Sequence, residues 1–97
     1  MEIAVTSTEY VHVPIAATLD GSVVTLTTPP KLAFLTTSGN PAPGDWLTGQ
    51  WQSGTARLLV GPVGGAITLA AGEYSVWVTW AAAAETPVYR AGTITAY

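Results

Sequence analysis

Leu69-Ala70-Ala71-Gly72-Glu73-Tyr74-Ser75-Val76-Trp77-Val78 decides the fold of this chain. A turn glycine leads into a run whose side chains alternate in character. Successive side chains of a strand point to opposite faces. One face therefore takes Tyr74, Val76, Val78 and Trp80. The other takes Glu73, Ser75, Trp77 and Thr79. The first set reads as a core face, so Glu73 to Trp80 is predicted to be a strand buried on one side.

The stretch is also similar to the immunoglobulin-type pattern in which an apolar residue, a turn glycine and a tyrosine lead into the penultimate strand. In that fold the tyrosine hydroxyl hydrogen-bonds to backbone at a corner of the sandwich. Tyr74 would take that part. Val76 would occupy the inward position that antibody domains give to a disulfide cysteine.

Turn signals recur on both sides of this strand. Asp20-Gly21 is a strong hairpin signal. Pro29-Pro30, the run from Ser38 to Gly44, Gly61-Pro62, Gly64-Gly65, Gly72 and Pro87 mark further turns. Between them lie runs rich in Val, Thr, Ile, Tyr and Trp, which fit a pleated, half-buried surface. The predicted strands are Ile3 to Ser7, Tyr10 to Thr18, Val23 to Thr27, Lys31 to Thr36, Trp46 to Gln52, Thr55 to Val60, Glu73 to Trp80 and Val88 to Ala96. Pro14 cannot donate to a ladder, which puts its strand at an edge or a bulge. Trp46 to Gln52 and Thr55 to Val60 are expected to form a hairpin closed at Ser53-Gly54. The expected fold is all-β, an immunoglobulin-like antiparallel β-sandwich of seven to nine short strands, in one domain over residues 1–97.

Two segments are less regular. Trp80 to Glu85 holds four alanines, but six residues are too few for a helix to stand alone, so a loop is expected. Gly61 to Gly72 is a long connection, expected to hold a short strand or a helical turn packed by Leu69.

Composition narrows the function. The 97 residues include three Lys/Arg and six Asp/Glu, a net charge of -3, and no Cys. A disulfide scaffold and a cysteine zinc site are excluded. Clustered basic residues for phosphate neutralisation are missing, so no nucleic-acid partner is expected. No run of about 18 apolar residues exists to cross a membrane as a helix. Met1-Glu2-Ile3 puts an acid where a signal peptide has its basic region, so folding in a cytoplasm is expected. Only 9% of residues are charged, against about a quarter in an ordinary soluble domain. A surface made polar by Thr, Ser, Gln and Asn suits packing against other subunits, where stranded charge is costly.

Catalytic and ligand-binding motifs are weak. His12 is the only histidine, and no pattern ties it to Asp20, Asp45, Glu2 or Glu9, so it reads as a surface or interface residue. The six acids show no spacing suggestive of a glycosidase pair. Asp20 and Asp45 are better read as turn residues. Gly61-Pro62-Val63-Gly64-Gly65 lacks the Lys-Ser/Thr of a phosphate loop. No cofactor or metal is expected. Arg57 and Arg90 read as ladder charges, or as guards of edge strands.

The tryptophans are the candidates for contact. Trp77, on the outer face, is either covered by the loop from Gly61 to Gly72, a lone exposed aromatic, or an anchor in a subunit interface. Trp46 and Trp51 are five apart, so a regular strand turns one inward and the other outward. Two exposed aromatics would suit sugar stacking, the mark of a carbohydrate-binding module.

Several segments resemble short proteins of actinobacterial tailed phages and prophages. They are Met1 to Ile15, Gly44-Asp45-Trp46, Ala56 to Pro62, Leu69 to Val78 and Pro87 to Ile94, together covering most of the chain. Ser22 to Lys31 departs from the pattern, being Thr-rich and without the acids expected there. The resemblance implies a small immunoglobulin-like virion structural protein, capsid-associated and made in the host cytoplasm. Its partners would be the major capsid protein or other virion proteins, and it would be homo-oligomeric or present in many copies. A capsid decoration role leads, with a head–tail connector or tail component as the alternative. The contact residues expected are Ile3 and Val5 of an N-terminal strand available for strand addition, with Trp46, Trp51 and Trp77.

Overall fold

β-Branched and aromatic runs build strands throughout the computed structural model, which describes residues 1–14, 18–19, 22–23, 28–37, 39–52, 55–81 and 86–97. In chain order the strands are β1 (Glu2–Ile3), β2 (Glu9–Pro14), β3 (Thr18–Leu19), β4 (Ser22–Val23), β5 (Lys31–Leu35), β6 (Leu47–Thr48), β7 (Gln50–Gln52), β8 (Thr55–Val60), β9 (Gly72–Thr79) and β10 (Val88–Ala96). A single 3-10 turn, Pro43–Asp45, precedes β6. Counted as one strand interrupted at Gly49, β6 and β7 bring the total to nine.

A five-stranded sheet in the order β1-β10-β9-β5-β6 faces a three-stranded sheet in the order β2-β8-β7, and β3 and β4 form a separate hairpin. This is an all-β, immunoglobulin-like sandwich. Alternation fills the space between the sheets. Val11 and Val13 of β2 and Ala56, Leu58 and Val60 of β8 come from one side. Leu32, Val76, Val78, Ile94 and Ala96 come from the other, with Ile3, Leu69 and Trp80 completing the core. Fully burying one Val, Leu or Ile side chain contributes about 1.5–3 kcal/mol, so this cluster is the main source of stability.

Tyr74 begins the inward set of β9, and its hydroxyl donates to the Ala70 carbonyl at 2.8 Å. The bond ties the start of β9 to the chain leading into it. That chain carries Leu69, only 5% exposed, and a lone parallel bridge pairs Ile67 with Val60. The connection after β8 is thus held at both sheets by small apolar plugs.

Among the described strands the pairing departs from antiparallel at β1. β1 runs parallel to β10, with Glu2 opposite Thr95 and Ile3 opposite Ala96. A two-residue strand carries no local signal of direction. Here the tertiary position of the chain decides it. β2 is described only to Pro14 and forms the edge of the smaller sheet, which suits a residue without an N–H. Thr18–Leu19 pairs instead with Ser22–Val23, in a hairpin around residues 20–21, which lie outside the described residues. The strand expected over Val23 to Thr27 is described only at its start. Residues 53–54, where a hairpin turn was expected, and 82–85 of the alanine run are also outside the described residues.

The segment from Trp46 to Gln52 is not one strand of one hairpin. β6 pairs with β5 in the larger sheet, whereas β7 pairs with β8 in the smaller one. Gly49 is the crossing point. Its amide donates to Pro30 O at 2.8 Å. A Cβ there would lie 2.6 Å from Arg57 O and 2.8 Å from Leu32 Cδ1. Only glycine lets the two sheets approach this closely.

Candidate interaction face

The outer face of the five-stranded sheet collects the side chains that the core rejects. In register, Ala33 of β5 stands opposite Trp77 of β9, and Trp77 stands opposite Arg90 of β10. Leu32 pairs with Leu47, and Trp46 immediately precedes that strand. A row Ala33, Trp77, Arg90 therefore crosses the sheet.

Ala33 is fully buried but belongs to no part of the inter-sheet core cluster. An alanine side chain is too short to hide itself on an outer face. Its cross-strand neighbour on that face is Trp77. Trp77 and Trp46 are each half-buried. The indole N–H of Trp77 is enclosed without any acceptor.

Around this row the face is hydroxyl-rich. Ser75 pairs with Thr93, and Thr79 pairs with Val88. Thr48 pairs with Lys31. Thr79 Oγ1 donates to Pro87 O at 2.7 Å, which holds the approach to β10 against β9. Lys31, Glu73 and Arg90 are the charges on these outward positions, and Arg90 stands directly across from Trp77. Tryptophan and arginine side by side among small polar groups are the make-up of a contact surface.

The other contact candidates fall elsewhere. Trp51 faces inward, packs against the core and donates its indole N–H to Thr28 O at 2.7 Å. The exchange of sheets at Gly49 explains why Trp46 and Trp51 end on different sheets as well as opposite faces. Ile3 is a core residue, 3% exposed, and Val5 packs against the same cluster. The N-terminal strand is taken up within the chain. Tyr97 N donates to Ile3 O at 3.0 Å, Val5 N to Tyr97 O at 2.6 Å, and Thr95 N to Met1 O at 2.9 Å. Ile3 therefore presents no side chain for contact, because its own sheet needs it.

The two sheet edges along one side of the sandwich are guarded. β2 ends its described run in Pro14. β1 covers β10 only at Thr95 and Ala96, and the uncovered part of β10 carries a bulge between Arg90 and Gly92, which interrupts the regular ladder an added strand would need. Between them lies a cavity of about 290 Å³ lined by His12, Val13, Pro14, Val78, Trp80, Tyr89 and Ala91. Tyr89, 58% exposed, stacks on Trp80 at 5.7 Å and roofs this seam.

Arg57 is no edge guard. β8 is the middle strand of its sheet. His12 lies directly opposite Arg57, so its nearest cross-strand neighbour is a cation and not a carboxylate that would orient a general base. Among the described residues, no three His, Asp or Glu side chains gather as metal ligands. Asp45 accepts the Ala42 amide at 2.8 Å and closes the 3-10 turn that delivers Trp46.

No protein-family model, no curated protein and no solved structure matches this chain.

Proposed function

We propose that this chain is a non-enzymatic virion structural protein, a capsid decoration protein that docks in many copies on the major capsid protein. The observation that carries the reading is the outer face centred on Trp77. It combines the half-buried Trp77 indole, a buried alanine beside it in register, Arg90 across from it and a surround of threonine and serine, with a second half-buried indole, Trp46, leading into β6. Covering such a face displaces water from apolar area around an arginine at its flank. The overall shortage of charge supports the same reading, because a protein docked for its working life needs few charges to stay dispersed. Trp46 lies in Gly44-Asp45-Trp46 and Trp77 in Leu69 to Val78, two of the segments that resemble phage virion proteins. That resemblance supplies the class of partner and the location, the virion.

The test is quantitative mass spectrometry and cryo-EM of particles made with the wild-type chain and with Trp77→Ser. The wild-type chain is expected on the shell at a copy number matching the capsid subunits, and the variant at a fraction of it. A few copies confined to one vertex would move the protein to the connector or tail. Its absence from purified particles would overturn the proposal.

A further inference from the structure

We infer that Arg57 is a receptor for a carboxylate supplied from outside the fold. The site lies on the opposite face of the sandwich from Trp77 and does not rest on the virion reading. Arg57 projects from the outer face of the three-stranded sheet, flanked in register by His12 of β2 and Gln50 of β7. Tyr10 is the next outward residue of β2. Its ring centroid lies 4.1 Å from the Arg57 guanidinium carbon. Stacking of this kind fixes the plane of the guanidinium. Much of the rotamer freedom an arginine loses on binding is therefore already lost in the free chain.

One donor of this held group is unmet. Arg57 Nε is enclosed without an acceptor among the described residues. Beside it is a concavity of about 250 Å³, lined by Tyr10, Thr48, Gln50, Arg57, Leu59 and Ala66 among others, with no acid in the lining. An arginine on a middle strand has no edge to protect. A ladder charge with no other role would lie out in water, not folded over a ring. With Nε closed inside, the two terminal nitrogens remain, and they form a fork that fits a carboxylate end-on. Gln50 and Thr48 offer further polar groups at the same opening. The occupant is the side chain of an aspartate or glutamate from another protein chain.

The chain has two arginines, Arg57 and Arg90, so nitrogen-15 NMR of the whole protein shows two side-chain Nε–H signals. Arg90, exposed on β10, is the internal control. Sodium acetate is titrated in, with sodium chloride at matched ionic strength as the blank. The Arg57 signal is expected to move along a saturating curve, several-fold further than that of Arg90. Tyr10→Phe keeps the ring and is expected to keep the response. Tyr10→Leu removes the ring and is expected to lose it. Two signals moving together, an equal response to chloride, or a silent Arg57 overturns the inference. Once the response is seen, dilution without acetate identifies the source. A shift of the Arg57 signal on dilution assigns the carboxylate to a second copy of this chain, and a constant signal assigns it to a different protein.

Discussion

Ala33 lies directly across the ladder from Trp77 and is fully buried on a face that otherwise looks outward. The pair shows that the outer face has a small apolar centre of its own, separate from the sandwich core. Residues at the centre of a contact surface dominate its energy, and aromatic ones most of all. On the decoration role proposed above, Trp77→Ala is expected to weaken attachment to the particle by about 30-fold or more, the equivalent of about 2 kcal/mol. Removing Thr93, on the same face but away from the row, is expected to change attachment by less than about threefold. Binding of the purified chain to particles stripped of it measures both.

Gly49 supports a sharper prediction about stability. A side chain there meets the Arg57 carbonyl at 2.6 Å and Leu32 Cδ1 at 2.8 Å. One contact is backbone and the other is a fully buried core residue, so neither yields easily. Gly49→Ala is expected to cost about 1–3 kcal/mol. Gly44→Ala, where nothing lies within 4 Å of the added carbon, is expected to stay within about 0.5 kcal/mol. Urea unfolding followed by tryptophan fluorescence compares them directly.

This glycine also shows where reading from sequence stops. Trp46 to Gln52 has the length and alternation of one continuous strand. Its division between two sheets depends on Leu32, which lies 17 residues before Gly49 and comes close only in the fold. The parallel pairing of β1 is hidden for the same reason, since Glu2–Ile3 contains nothing that names Thr95–Ala96. By contrast, the bond from Tyr74 to Ala70 spans four residues, and Val88–Ala96 follows directly on the turn signal at Pro87. Both were legible because their causes are local. The outward position of Trp77 followed from the strict period of β9. The stack of Arg57 on Tyr10 did not, because it needs the register of two strands 40 residues apart.

The corner bond gives a second measure of stability. Tyr74 Oη donates to Ala70 O at 2.8 Å, and the ring packs against the core. Phenylalanine preserves the packing and deletes the bond. Tyr74→Phe is expected to lower stability by about 1 kcal/mol. In a domain of this size that lowers Tm by about 4–8 °C. Calorimetry of the two proteins is sufficient, and an unchanged Tm would mean that water replaces the bond at no cost.

Trp51 and Trp77 allow the polar and apolar parts of a tryptophan to be separated. Both are half-buried. The Trp51 indole N–H donates to Thr28 O at 2.7 Å, whereas the Trp77 indole N–H is enclosed without an acceptor. Replacement by phenylalanine removes a similar apolar area from each. At position 51 it also deletes a hydrogen bond and leaves the Thr28 carbonyl to find another partner. At position 77 it removes a donor that pays a desolvation penalty of about 1–3 kcal/mol in the folded chain. Trp51→Phe is therefore expected to be the more destabilising by about 1–2 kcal/mol, with Trp77→Phe close to neutral. Equal losses in denaturant unfolding would show that the Trp77 N–H finds an acceptor in solution.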